Sequence, residues 1–196
     1  EAVARAEAAR GPVDLVIAAA GAVRAARFDD LTEADHRALM EINHFGVLAT
    51  LAATLPAMRR AGRGRALILG SAAGLLALPG YAAYAPSKFA LRGLAGALRA
   101  ECRPDGVLVA IAHPPDVETP QLVAERAERP PELTALAGAG GAMSAERAAA
   151  RLLSGLAAGR ADIHPSPAVA ALARLGPLAA PALRLWIDRA TARARR

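Results

Sequence analysis

Three short apolar runs, separated by longer stretches of helical character, constrain the fold of this chain more than any other feature. They are residues 13–20 (VDLVIAAA), 65–71 (RALILGS) and 106–112 (GVLVAIA). Runs of this length and composition are typical of strands buried on both faces of a parallel sheet. Strands that alternate with helices are joined by right-handed crossovers. The sequence therefore predicts an α/β fold with a Rossmann-type, doubly wound parallel sheet.

Helices are predicted around and between these runs. Thr32 is a suitable N-cap, with Asp35 in the first turns, for a long helix that ends near residue 61 and that Pro56 bends or divides. Two prolines and three glycines predict a mobile loop over 130–143. The other helices are predicted over residues 1–10, 81–103, 119–129 and 144–158, the last of them capped by Ser144.

The edge of the sheet where the strands end is the expected ligand site, because ligands of such sheets bind beyond the carboxyl ends of the strands. Gly21, Ser71 and the turn that begins at His113 each follow an apolar run, so we expect them to converge there. Tyr84 and Lys88 follow on a predicted helix. Their spacing of four residues places them on one helix face.

This spacing has a chemical interpretation. A phenol with its ordinary pKa of about 10 is a poor acid-base catalyst at neutral pH. A neighbouring ammonium lowers that pKa, so Lys88 would make Tyr84 a workable proton donor to a carbonyl oxygen that receives a hydride, with Ser71 hydrogen-bonded to the same oxygen. The alternative is an exposed pair on an amphipathic helix. The catalytic interpretation is favoured because Lys88 is the only lysine among 24 basic residues.

Residues 70–101, GSAAGLLALPGYAAYAPSKFALRGLAGALRAE, resemble the active-site block of the short-chain dehydrogenase/reductase family. The resemblance implies a catalytic tetrad in which Asn43, the only asparagine of the chain, joins the three residues above and helps hold a water near Lys88. It also implies a nicotinamide cofactor, with Tyr84 and Lys88 beside it and Lys88 on its ribose. The substrate would contact Ser71, Tyr81 and Tyr84.

Two further turns match the family in altered form. The family's Asn-Asn-Ala-Gly turn is here Ala-Ala-Ala-Gly, which loses the asparagines and leaves Ala20 and Gly21 as cofactor-binding candidates. After the third run the sequence reads PPDVETP, and the resemblance implies that Pro114, Val117 and Thr119 contact the cofactor, Thr119 at the nicotinamide carboxamide.

The PPDVETP turn, the active-site block and a later RPPELT are together similar to the branch of the family that reduces a long-chain 3-keto sphingoid base with NADPH. This similarity favours NADP(H) over NAD(H) and a hydrophobic small-molecule or lipid substrate, and no metal site is expected. No glycine-rich turn follows a strand and opens a helix, as a dinucleotide pyrophosphate requires. We therefore expect the C-terminal part of a Rossmann-type sheet, without the first strands and that turn, and poor cofactor binding by this chain alone.

The chain divides into a Rossmann-type catalytic domain at 1–164 and an apolar, basic helical tail at 165–196. Two arginines and two prolines within 168–187 disfavour a bilayer-spanning helix. Two interpretations stay open: peripheral membrane contact through 168–196, with Trp186 at headgroup level and arginines on anionic lipid, or a helix pair that covers a substrate pocket or a subunit interface.

Composition limits the remaining function classes. A hydrophobic fraction of 54% argues against disorder. Although the net charge is +6, the arginines are scattered and aromatic residues make up only 3%, so no nucleic-acid partner is expected. The single Cys102 fits a cytoplasmic protein, with the cytoplasmic face of the membrane as the alternative location. We also expect a homo-oligomer, and the first apolar run would form an unprotected sheet edge.

Three functions remain in competition. The first is an NADPH-dependent reductase of a 3-keto lipid base. The second is a ketoreductase or alcohol dehydrogenase for another hydrophobic substrate, which would share the same active-site block. The third is a degenerate, non-catalytic dehydrogenase-like binding protein, suggested by the lost asparagines and the missing pyrophosphate turn; the four filled tetrad positions argue against it.

Overall fold

A parallel four-stranded sheet forms the centre of the molecule. The computed structural model describes residues 2–137 and 141–195. The strands of the described residues are β1 Leu15–Ala18, β2 Gly64–Leu69, β3 Val107–Ala112, β4 Val117–Glu118, β5 Met143–Ser144 and β6 Asp162–Ile163. The sheet has the order β1-β2-β3-β6, and every pairing in it is parallel. A second parallel pair joins β4 to β5. The predicted α/β architecture is confirmed.

Eight α-helices are present in the described parts of the chain. Thr32 caps α2 and forms a reciprocal capping box with Asp35, and Ser144 caps α7, both as predicted. The long helix is divided by a π-helical turn, Glu41–Phe45, whereas Pro56 lies inside α3. The helices are α1 Ala2–Arg10, α2 Glu33–Met40, α3 Gly46–Ala61, α4 Tyr84–Cys102, α5 Pro120–Glu128, α6 Pro131–Ala137, α7 Ala145–Ala157 and α8 Pro167–Ala194.

Helices cover both faces of the sheet, which makes it doubly wound. On one face, Leu51 of α3 and Leu91 of α4 pack against Ile68 of β2 in a fully buried cluster. On the other face, Leu152 of α7 packs against Leu67 and its neighbours. Truncating one such buried leucine to alanine typically costs about 2–5 kcal/mol, so these two clusters fix the helices to the sheet.

The first strand differs from its prediction. We expected residues 13–20 to be buried on both faces, but Leu15 is 46% and Ile17 43% exposed. The reason is that β1 is an edge strand of the described sheet: its other face, with Val16 and Ala18, meets the α3 and α4 side, while no described helix covers Leu15 and Ile17. The predicted unprotected apolar edge is therefore confirmed.

The predicted loop at 130–143 is wrong for its first half, where residues 131–137 form α6. Proline at the first helical position needs no hydrogen bond there, which suits Pro131. Leu133 and Leu136 are buried, and the fully buried Glu132 binds Arg27 at 2.9 Å between Nε and Oε1. Tertiary contacts thus override the local glycine and proline signal. Residues 138–140 of that prediction lie outside the described residues.

The tail forms one continuous helix, α8, although Pro177 and Pro181, two prolines of the kind that usually interrupt a helix, lie inside it. Each proline removes one backbone donor, a tolerable loss where neighbouring residues such as Leu178 are 84% exposed. By length and apolar composition alone, α8 and the segment Glu33–Ala61 would each suffice to cross a membrane. Helix Glu33–Ala61 belongs to the core, whereas only 6% of the most apolar window of α8 is buried.

Candidate active site

Ser71 and Tyr84 are placed by the tight loop that joins β2 to α4. Ser71 follows β2 and caps a short 3-10 turn, its hydroxyl accepting a hydrogen bond from the Ala73 amide at 3.1 Å. A Cβ on Gly74 would lie 2.9 Å from the Lys88 carbonyl oxygen, so only glycine lets this turn pack directly on α4. The loop thereby brings Ser71 next to the first two turns of α4, which carry Tyr84 and Lys88.

The turn after β3 lies beside Ser71, as predicted. The Ala72 amide donates to the Pro114 carbonyl at 2.9 Å. The buried His113 ring places Nδ1 3.1 Å from the Ser71 carbonyl oxygen and stacks on His164, with 5.5 Å between the ring centroids. These contacts fix the Ser71 backbone from two sides, a role for His113 that the sequence did not suggest.

Lys88 is buried beneath the tyrosine ring. Its side chain is 5% exposed, and Nζ lies 5.7 Å from the centroid of the Tyr84 ring. Nζ donates to the Leu69 carbonyl oxygen at 3.2 Å. The predicted juxtaposition of Tyr84 and Lys88 on one helix face is present, with the ammonium below the ring and held by the end of β2.

The pKa values differ from the expectation that Lys88 lowers the pKa of Tyr84. Burial raises the pKa of Tyr84 to about 12, and the nearby Ser71 hydroxyl opposes this only in part. Burial also lowers the pKa of Lys88 to about 8. The expectation is wrong for this structure because desolvation disfavours both charged forms, and the lysine hydrogen-bonds a backbone carbonyl and not the phenol.

Asn43 lies behind the site within the π-helical turn. It is fully buried, and its Oδ1 accepts from the Ala22 amide at 2.8 Å. Its Nδ2 donates to the Ala22 carbonyl and the Ser87 hydroxyl, both at 2.9 Å. Asn43 thus connects the turn after β1 to α4 and does not line the cavity described next. π-turns are frequent at functional positions, but their i to i+5 bonds leave no clear sequence pattern.

A cavity of about 320 Å³ brings most of the predicted site residues together. Ala20, predicted to bind cofactor, is exposed and is not among the lining residues; its neighbours Ala19 and Ala22 line the wall instead. The predicted residues that do line the cavity are Gly21, Ser71, Tyr81, Tyr84, Lys88, Pro114, Val117 and Thr119.

Thr119 has a structural contact that the family resemblance did not imply. Its hydroxyl accepts from the Leu122 amide at 3.2 Å and so caps α5. It also donates to the Val117 carbonyl at 3.3 Å. Both of its hydrogen bonds are therefore within the wall of the cavity, and its contact with a nicotinamide stays a prediction.

A polar cluster on the cavity wall was missed at the sequence level. The Tyr81 hydroxyl donates to Glu125, and Arg129 bridges Glu125 at 2.8 Å and Asp116 at 2.9 Å. Burial and the Glu125 carboxylate both raise the pKa of Tyr81. The spacing of Glu125 and Arg129, four residues apart on a predicted helix, was the one available signal.

A second, apolar chamber of about 190 Å³ adjoins the first cavity, because both are lined by Ser71, Tyr81, Pro115 and Asp116. The chamber extends away from the tyrosines along hydrophobic side chains. Those on its far side include Leu136 of α6 and three residues of α8, namely Val169, Leu172 and Trp186.

The cavity fits the nicotinamide end of a dinucleotide. A Cβ on Gly21 would lie 3.3 Å from Asn43 Oδ1 and 3.5 Å from Lys88 Nζ, so the bare backbone keeps space open beside the lysine. Gly21, Lys88 and the turn at Pro114 are the residues that would hold that end. In residues 2–137 and 141–195, no turn with a G-x-G spacing joins a strand to a following helix; Gly62 precedes β2 and Gly64 is its first residue.

A doubly wound parallel sheet with serine, tyrosine and lysine around a cavity at its strand ends defines a dehydrogenase of the Rossmann type. The short chain dehydrogenase family model matches residues 1–130. The chain belongs to this family of NAD(P)-dependent oxidoreductases.

Two curated reductases are similar to this chain in sequence. The chain is 38% identical over 140 residues to 3-dehydrosphinganine reductase of Danio rerio, covering 71% of this chain and 42% of that protein. It is 42% identical over 122 residues to 3-ketodihydrosphingosine reductase of Bos taurus, covering 62% and 37%. The chain thus spans less than half the length of these curated relatives.

Solved structures agree on the fold. A short-chain dehydrogenase from Streptomyces avermitilis superposes with a TM-score of 0.78 at 25% identity, over all of this chain and 75% of that one. One from Mycobacterium paratuberculosis bound to NAD gives 0.72 at 30% identity, over 83% and 66%. A gluconate 5-dehydrogenase from Burkholderia cenocepacia in complex with NADP and tartrate gives 0.71 at 26% identity, over 83% and 67%. Both cofactors thus occur among similar structures.

Proposed function

We propose that this chain is the proton-transfer part of an NADPH-dependent reductase that converts a long-chain 3-keto lipid base to the alcohol. The observation that carries the proposal is the cavity lined by Ser71, Tyr84 and Lys88, which adjoins an apolar chamber. The similarity to 3-ketodihydrosphingosine reductases supports the substrate class.

In the proposed reaction, the substrate carbonyl oxygen accepts hydrogen bonds from the hydroxyl groups of Ser71 and Tyr84. The bound nicotinamide would supply a hydride to the carbonyl carbon. The Tyr84 O–H bond breaks and its proton passes to the carbonyl oxygen, which gives a secondary alcohol and a phenolate. Lys88, whose pKa of about 8 lies below the pKa of about 12 of Tyr84, is acidic enough to return a proton to that phenolate.

Asn43 contributes to this reaction by position. Its hydrogen bonds to both backbone groups of Ala22 hold the turn that carries Gly21, and its bond to Ser87 ties that turn to the helix of Tyr84 and Lys88. The side chain therefore keeps the cofactor side and the proton-donating side of the cavity in register. We also propose that Asn43 helps to hold a water molecule near Lys88.

The apolar chamber would accept the alkyl chain of the substrate. Its walls beyond the shared residues are hydrophobic, and α8 supplies Leu172 and Trp186 to them. On other positions of α8, Leu175 and Leu178 are 58% and 84% exposed. We propose that α8 closes the chamber and also contacts the cytoplasmic face of a membrane, where a lipid substrate resides. Liposome flotation with and without residues 165–196 tests the membrane contact.

We propose that the pyrophosphate of the cofactor binds at a site that the described residues do not contain. NADP(H) is favoured over NAD(H) by the similarity to the sphingoid-base reductases alone. The choice between them normally depends on an acidic or basic residue after the glycine-rich turn. A homo-oligomer is likewise part of the proposal, and size-exclusion chromatography with light scattering of the full gene product tests it.

Tyr84→Phe tests the catalytic assignment. In the full gene product this change removes the proton donor and keeps the ring, so kcat for ketone reduction is expected to fall about 10²- to 10⁴-fold, with little change in NADPH affinity. A wild-type protein that oxidises no NADPH with any long-chain ketone would support the non-catalytic alternative. Faster reduction of short or branched hydrophobic ketones than of 3-keto lipid bases would support the ketoreductase alternative.

A further inference from the structure

The polar cluster on the cavity wall carries an excess of negative charge. Two carboxylates, Asp116 and Glu125, face one buried guanidinium, that of Arg129, whose side chain is 3% exposed. The Glu125 side chain is 9% and the Asp116 side chain 19% exposed. The only other cation of the described salt bridges here is Arg126, which is half exposed and 3.8 Å from Asp116. An uncompensated buried charge is costly, so this wall is suited to a cation from outside the chain.

The contacts within the cluster single out Glu125. Both oxygens of Asp116 lie within ion-pair distance of Arg129, with Nη1 2.9 Å from Oδ2 and Nη2 donating to Oδ1 at 3.1 Å. Oδ2 of Asp116 is nevertheless buried and accepts no hydrogen bond, so the cluster as a whole lacks donors. Tyr81 and Arg129 both contact Oε1 of Glu125, and Oε2 has no contact among the described hydrogen bonds and salt bridges.

Glu125 also lies close to the reacting groups. It lines the same cavity as Ser71 and Tyr84, and the rings of Tyr81 and Tyr84 are 5.2 Å apart between centroids. Both carboxylates of the cluster raise the pKa of Tyr84, as negative groups near a phenol do. Lys88, the other cation on this wall, makes its described hydrogen bond to the Leu69 carbonyl and none to a carboxylate.

We propose that Glu125, positioned by Tyr81 and Arg129, binds a primary ammonium group on the substrate carbon next to the reacting carbonyl. The proposal rests on the proposed function, since a 3-keto lipid base carries an amino group on that carbon. It makes Glu125 a specificity-determining residue: the alkyl chain occupies the apolar chamber, and the ammonium group orients the carbonyl toward Tyr84. Long-chain ketones without the amino group would enter the cavity but lack this anchor.

Reduction kinetics with the full gene product test this assignment. Three ketones of equal chain length are compared: the 2-amino 3-ketone, its N-acetyl derivative and the unsubstituted 3-ketone. A hydrogen bond to a charged group has a strength that corresponds to roughly 10- to 150-fold in kcat/KM. Wild-type protein is expected to favour the amino ketone over the other two by such a factor, and Glu125→Gln is expected to remove the preference by lowering kcat/KM for the amino ketone more than for the other two.

Glu128→Gln is the matched control, because Glu128 is exposed on the same helix, α5. An equal loss of kcat/KM on all three ketones in Glu125→Gln would indicate a structural role and overturn the proposal. Equal kcat/KM values for the three ketones in the wild type would also overturn it, and that measurement needs no variant. If no ketone is reduced, the proposed function fails. Calorimetric binding of a long-chain primary amine then decides separately: binding lost in Glu125→Gln supports the ammonium site, and no binding by wild type overturns it.

Discussion

Replacing Lys88 by methionine is expected to stabilise the protein while it inactivates the proposed reaction. Lys88 is buried, and burial alone lowers its pKa from 10.5 to about 8. A shift of this size corresponds to about 3 kcal/mol of unfavourable free energy for holding the charge in the folded state at neutral pH. Methionine has a similar shape without the charge, and it loses the hydrogen bond to Leu69, which is worth about 1 kcal/mol.

The net expectation at pH 7 is a gain of about 2 kcal/mol in the free energy of unfolding. The gain depends on pH. Below pH 8 both the folded and the unfolded wild type carry the charge, and the full penalty applies. Between about 8 and 10.5 the folded state loses its proton first, so wild-type stability rises relative to Lys88→Met. Above pH 10.5 only the lost hydrogen bond remains, and the variant should be the less stable protein.

Urea denaturation from pH 6 to pH 11, followed by circular dichroism, measures this difference for a two-state transition. The raised pKa of Tyr84 affects both proteins and cancels in the comparison to first order. Arg99→Met, an exposed change on the same helix, is the control and should show no such crossing. A difference that stays constant across the pH range, or a less stable Lys88→Met at pH 7, would refute the reasoning about burial.

Three further outcomes are expected. Because its hydrogen bond to Arg27 lowers the pKa of Glu132 to about 2, wild-type stability should decline as the pH falls from 4.5 toward 2. Glu132→Gln should show a smaller decline in acid titrations followed by fluorescence of Trp186, since other carboxyl groups with a lowered pKa, such as Asp35, still titrate; an equal decline in both proteins would contradict this. Gly21→Val, which crowds Lys88, should lower kcat/KM of the full gene product at least about tenfold, and Gly21→Ala less; equal values would contradict the crowding. NADPH should bind the 196-residue chain at least about 100-fold more weakly than the full gene product, since residues 2–137 and 141–195 hold no G-x-G turn between a strand and a following helix for the pyrophosphate; equal titration curves would contradict this.

The sequence was sufficient for the elements that repeat a strong local pattern. The three apolar runs became β1, β2 and β3, and the tyrosine and lysine spacing placed both side chains at one cavity. The capping residues Thr32 and Ser144 were identified because a cap depends on residues only three positions away. The site residues could be proposed for a similar reason: Lys88 and Asn43 are the only members of their types in the chain.

The features that were missed depend on long-range contacts. Strand β6 is only two residues long and is defined by its pairing with β3, so no local sequence pattern predicts it. Helix α6 is held by the ion pair of Glu132 with Arg27, which are 105 positions apart. Arg129 likewise meets Tyr81 across 48 positions. Such pairings are set by packing of the whole chain, and propensity alone cannot supply them.

Burial connects proton transfer by Tyr84 with the proposed ammonium site at Glu125, because desolvation shifts the pKa values of both Tyr84 and Lys88. It holds Tyr84 as a neutral phenol and brings the pKa of Lys88 to about 8, so the resting site carries little positive charge at mildly alkaline pH. The carboxylates of Asp116 and Glu125 then leave the wall net negative, with Arg129 as the one buried counterion of that cluster. A negative wall opposes a phenolate, which by itself would slow proton donation by Tyr84. A bound ammonium group reverses that effect, since it neutralises Glu125 and stabilises the phenolate as it forms. An amino ketone would therefore be favoured in the proton-transfer step as well as in binding, and the proposed preference should appear in kcat as well as in KM.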